Sequence, residues 1–138
     1  MAKVTEELLN QITQTANLEN FIRQHEKDFQ SETVSGYLNR LLEQKKLQIT
    51  DIANRSGRGD YVYKVFQGTR TATRDIMLSI AIGMQLDLCE TQTLLKIANL
   101  APLYPRSRRD SIIIFGIKNK LKITEICEIL YDYNEKIF

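Results

Sequence analysis

The stretch LNRLLEQKKLQITDIANRSGRGDYVYKVFQGTR, residues 38–70, decides how the chain is read. Its apolar residues recur at three- and four-residue spacing, the period of an amphipathic helix. Tyr37, Leu38, Leu41 and Leu42 mark one helical face, with Arg40, Glu43 and Lys45 opposite, and Ser31 or Thr33 stands where such a helix would open. A break at Lys46-Leu47-Gln48 leads to a short helix from Ile49 to Arg55, with Ile52 and Ala53 facing inward. Ser56-Gly57-Arg58-Gly59 must turn, because two glycines in four residues cost too much inside a helix. Asp60 to Gln67 then forms another short helix, closed by Gly68 where left-handed helix ends favour glycine.

The same periodicity extends in both directions. Upstream, a helix over Thr5 to Thr15 is expected to bury Leu8, Leu9 and Ile12, and Asn17 caps a short helix carrying Leu18, Phe21 and Ile22. Downstream, Thr71 or Thr73 caps a helix holding Ile76, Met77, Ile80, Ile82 and Met84, with Asp75 favourable to its N-terminal dipole. That helix is apolar nearly all round, which places it at the centre of the core. Asp87 opens a further helix with Leu88, Leu94, Leu95 and Ile97; a proline-containing connection follows, then two helices near Ser107–Lys118 and Thr124–Tyr133. The expected fold class is all-α, with eight or nine short helices.

The chain has 138 residues, 43% hydrophobic and 26% charged, with a net charge of +2. These values fit one folded domain of ordinary size and exclude a histone-like basic tail. The longest apolar runs, such as Ile112 to Phe115, are far short of a membrane span, and the first residues hold no apolar segment of signal length. The expectation is a cytoplasmic protein without membrane contact. Cys89 and Cys127 form no metal pattern and read as buried small residues. His25, the sole histidine, lies in a polar helical stretch and reads as a solvated side chain. No phosphate-loop, zinc-protease or nucleophile-elbow string occurs, and Gly57-Arg58-Gly59 lacks the third glycine of a dinucleotide loop. Neither an enzyme nor a cofactor or metal is expected.

Charge is unevenly placed. Residues 40–75 hold eight Lys/Arg against four Asp/Glu, and residues 105–122 hold six against one, while both ends are acidic. Two basic blocks are what a phosphate-facing surface requires, although solvated helix faces produce the same pattern. The spacing of residues 38–70 adds the grammar of a helix-turn-helix. Ala53 is the small residue at the helix crossing, Gly57 makes the turn, and Val62, Val65 and Phe66 form the docking stripe of the second helix. Asp60, Lys64 and Gln67 then point away from the core, with Tyr63 on the flank. Lys64 suits guanine or phosphate, Gln67 suits adenine, Tyr63 suits a phosphate, and Asp60 caps the helix or accepts from cytosine. Arg58 and Tyr61, beside them, complete the candidate contacts within this segment.

At these residues the chain resembles the XRE (lambda-repressor-like) family of bacterial and phage regulators. The resemblance covers about residues 37–98, from Tyr37-Leu38 through Ile52-Ala53, Gly57 and Phe66-Gln67-Gly68-Thr69-Arg70 to Leu94-Leu95-Lys96-Ile97-Ala98. It implies that Asp60–Gln67 is the recognition helix, and that Thr69, Arg70, Thr73 and Arg74 touch the DNA backbone. Gln67 stands where the family usually has glutamate, Ala72 where proline is frequent, and the turn is one residue shorter. The expected organisation is an N-terminal helical extension over 1–35, a DNA-binding unit over 36–100, and a C-terminal helical pair over 101–138 on the same core. In that pair, Arg106, Arg108 and Arg109 precede an apolar helix and Lys118, Lys120 and Lys122 follow it, as a second phosphate contact or a partly paired face. The expected partners are double-stranded DNA and a second copy of the chain. A rival reading keeps the scaffold but makes it a protein-interaction adaptor.

Overall fold

The computed structural model describes residues 2–24 and 32–138. The described residues form nine α-helices and no strand: α1 Ala2–Gln14, α2 Leu18–Gln24, α3 Val34–Gln44, α4 Ile49–Ser56, α5 Asp60–Gln67, α6 Arg74–Gly83, α7 Leu88–Ile97, α8 Arg108–Lys118 and α9 Ile123–Asp132. They fall into two compact units, Met1–Ser31 and Glu32–Phe138. No described helix is long and apolar enough to cross a membrane.

In the first unit α1 packs on α2. The Asn17 side-chain oxygen accepts from the Asn20 backbone N–H at 3.0 Å, and Phe21 is buried. Burial here is thinner than the sequence suggests. Leu8 and Ile12 are half-buried, but Leu9 is 62% exposed, and Leu18 and Ile22 are exposed as well. Leu9 lies roughly 100° round the helix from Leu8, so one short partner helix cannot cover both. His25 and Ser31 lie outside the described residues.

The second unit is built around α6, whose residues Met77 through Gly83 are all buried. α4 packs directly on it. A side chain at Gly83 would stand 3.2 Å from the Ile52 carbonyl oxygen and 3.3 Å from the Ser56 nitrogen, so glycine there permits the crossing. α3 packs on α5 and α7, and α8 pairs with α9. One apolar cluster runs from Tyr37 and Leu38 through Ile52, Val65 and Leu94 to Ile113, Ile126 and Leu130. Each such aliphatic side chain contributes about 1.5–3 kcal/mol by leaving water. Helix starts are set by side-chain caps: Thr33, Thr73, Asp87 and Ser107 each accept from a backbone N–H one turn on. The cysteines correct the sequence reading, since Cys89 is exposed and Cys127 half-buried. Thr91, Leu94 and Leu95 face inward on α7, and Cys89 sits roughly 200° round from Thr91.

α6–α7 and α8–α9 are two copies of one hairpin, displaced by 35 residues. Arg74-Asp75 corresponds to Arg109-Asp110, Leu86 to Leu121, Glu90 to Glu125, Leu95 to Leu130 and Asn99 to Asn134. Each first helix ends at a left-handed residue, Gln85 with φ 57° or Lys120 with φ 56°. The following leucine then closes back five residues, Leu86 N–H to Ala81 O at 3.0 Å and Leu121 N–H to Gly116 O at 2.9 Å. The two arginines cross over. Arg74 donates twice to Asp110, at 3.0 and 2.8 Å, while Arg109 donates to Asp75 at 3.0 Å. A translated repeat would send the second arginine on to a third copy; reciprocal pairing instead relates the hairpins by an approximate two-fold axis. α6 against α9 and α7 against α8 are likewise equivalent contacts.

Candidate nucleic-acid interface

α4 ends at Gly57, whose φ of 73° closes the helix, and Gly59 with φ 56° and ψ −130° launches α5. That second conformation is open essentially to glycine alone. Ile52 and Ala53 anchor α4 in the core, and Val62, Val65 and Phe66 anchor α5. α3 fixes the far end of α5: Ser35 and Asn39 both donate to the Phe66 carbonyl, Asn39 at 2.8 Å. The sequence reading missed these two polar residues, spaced one turn apart on a helix otherwise read for its apolar face.

This anchoring leaves Asp60, Lys64 and Gln67 exposed on one side of α5, and Thr69 and Arg70 exposed just beyond it. The side chains of Lys64, Gln67 and Arg70 have no partner among the described residues. Asp60 is the first residue of α5, not its cap; Gly59 holds that position, and no side chain caps the helix. Its carboxylate therefore acts on the helix only through the dipole. Tyr61 and Tyr63 are half-buried and locally engaged, Tyr61 donating to the Thr71 carbonyl and Tyr63 to the Thr50 hydroxyl at 3.2 Å. The Thr69 hydroxyl donates to the Lys64 carbonyl at 3.2 Å. Arg58 is half-buried and reaches the Ser79 hydroxyl at 3.3 Å.

Arg74 does not join this group. Its guanidinium holds both oxygens of Asp110 and also donates to the carbonyls of Ala101 and Pro102, at 2.9 and 3.0 Å. Thr73 is the α6 cap, its hydroxyl accepting from Ile76. Burial by itself would raise the Asp110 carboxyl; the bonds donated by Arg74 and the Tyr104 N–H, and the charges of Arg74 and Arg109, outweigh it and hold the group below its ordinary value. The C-terminal basic block is similarly committed in part. Arg108 pairs with Glu135 at 2.9 Å, Arg109 is taken up by Asp75 and the Lys136 carbonyl, and Lys120 reaches the Gln85 carbonyl.

Beside the α4–α5 turn lies an apolar groove of about 520 Å³. Arg58 forms part of one wall, while Ile123, Cys127, Tyr131 and Phe138 line the other with the carboxylates Glu128 and Asp132. No cluster of three or more metal-ligating side chains occurs among the described residues. Comparison of the chain with protein-family models, curated proteins and solved structures finds no match.

Proposed function

We propose that the chain is a sequence-specific DNA-binding regulator of the lambda-repressor-like helix-turn-helix kind, with α5 as its recognition helix. The observation that carries the reading is that the side chains of Lys64 and Gln67 stand exposed, without a partner among the described residues, on a helix anchored by buried Val62, Val65 and Phe66. Free amine and amide groups at adjacent turns are what base-edge readout in a major groove requires. Arg70 and Thr69, beyond the glycine that ends α5, sit where a phosphate contact would position that helix. Arg74 drops out of the contact set, because its donors are spent on Asp110 and two carbonyls. Paired recognition helices require a homodimer with half-sites about one helical turn apart, and the exposed Phe115 and Tyr133 offer apolar surface for self-association. Selection from random duplexes on the purified protein, followed by binding to the selected site across a salt series, tests the proposal. Affinity falling steeply with salt supports it; no enriched site, or a flat salt response, sinks it.

The adaptor reading is favoured by a separate observation. Arg74, Arg108 and Arg109 are committed to internal ion pairs, so the basic blocks supply fewer free charges than their sequence suggests. On that reading the selection yields no site, and α5 meets a protein instead.

A further inference from the structure

The internal repeat supplies its own template for an uncovered surface. In the first hairpin, α7 receives α3: the Tyr37 hydroxyl donates to the Glu90 carbonyl at 3.4 Å and lies by Thr93, and Lys45 pairs with the Glu90 carboxylate at 3.1 Å. Displaced by the repeat, Glu90 becomes Glu125 and Thr93 becomes Glu128, on α9. Both are exposed, and within the unit Glu32–Phe138 no helix packs on α9 in the manner of α3. Glu128, though not Glu125, also lines the adjoining groove of about 520 Å³, with Cys127, Ile123 and Phe138 as apolar lining and Tyr131 75% exposed at its edge.

We infer that the groove beside α9 docks an amphipathic, cationic helix of a partner protein, its basic edge lying along Glu128 and Asp132. Three features specify that chemistry. The floor is apolar, so the occupant needs a hydrophobic stripe. Glu128 and Asp132 have no partner among the described residues, so the edge of the stripe must carry Lys or Arg. The template itself presents an aromatic residue and a lysine to its glutamate, Tyr37 and Lys45. The α3 of a second copy cannot serve, because its Leu38 and Leu41 are buried in its own core.

Cys127 makes the test direct. With Cys89→Ser in the full chain, Cys127 is the remaining thiol, and its reaction rate with a disulfide reagent reports cover over the groove. The probes are a 14-residue helix-forming peptide of leucine and lysine and its leucine–glutamate counterpart. The lysine peptide should slow the thiol reaction about tenfold at ten times its dissociation constant, and the glutamate peptide should leave it unchanged. Glu128→Lys with Asp132→Lys should reverse that preference; if circular dichroism shows that this variant does not fold, Glu128→Gln with Asp132→Asn should abolish most of the protection. Equal protection by both peptides, or none by either, overturns the inference. So does protection that develops with protein concentration alone, which would place a second copy in the groove.

Discussion

At the scale of single residues, structural and contact duties separate cleanly. Lys64 is exposed and its side chain has no partner among the described residues, so Lys64→Ala should leave urea stability within about 0.5 kcal/mol while weakening binding to a selected duplex by roughly 1–3 kcal/mol. A variant that loses stability in step with affinity would show the lysine to be part of the scaffold. Asp110 is the opposite case. Its side chain is 8% exposed and neutralises an arginine that is itself three-quarters covered. Asp110→Asn strands that guanidinium and should cost about 3 kcal/mol in chemical denaturation. Its effect on DNA affinity, measured on the fraction that stays folded, should be small.

Among the elements, α5 shows what makes a helix readable. Glycines stand at both its ends, and Val62, Val65 and Phe66 fall at i, i+3 and i+4 on one helical face, so the expected span Asp60–Gln67 is the span found. Phe66→Ala removes a ring 2% exposed at the junction with α3 and should cost roughly 3–5 kcal/mol, read from the denaturation midpoint. Gly59→Ala should cost about 1–3 kcal/mol, since ψ −130° at positive φ is closed to a side chain. The duplicated hairpin was just as present in the sequence but went unread. A period of 3.6 describes each helix alone, and only a few identical pairs, such as Arg74-Asp75 with Arg109-Asp110, carry the longer period. The fate of the arginines was invisible for a related reason. Charge counting treats Arg74, Arg108 and Arg109 as available, whereas their carboxylate partners lie 27 to 36 positions away along the chain. Exposed Leu9 and Cys89 were misread because burial of a helical face depends on what covers it, which no local pattern records.

For the molecule as a whole, the crossed Arg–Asp pairs couple pH to the union of the two hairpins. Asp110 titrates below its ordinary value in the folded chain, whereas an unfolded aspartate titrates near about 3.9. A depressed folded value means that the stabilisation is complete above the unfolded value and is lost as pH falls through the folded one. Wild type should therefore outlast Asp110→Asn at pH 7, and the gap between their denaturation midpoints should narrow steadily below about pH 4. A gap that stays constant down to pH 2 would remove the ion pair from the account of what holds α8 to α6. The measurement also bears on the two functional readings. If acid opens the hairpin union first, the groove beside α9 is lost while α3, α4 and α5 still present Lys64 and Gln67. Under such conditions, protection of Cys127 by the lysine peptide should disappear at a higher pH than duplex binding does, provided both are followed in the same buffers. Simultaneous loss would mean that α5 depends for its position on the second hairpin, and that the two surfaces are thermodynamically one.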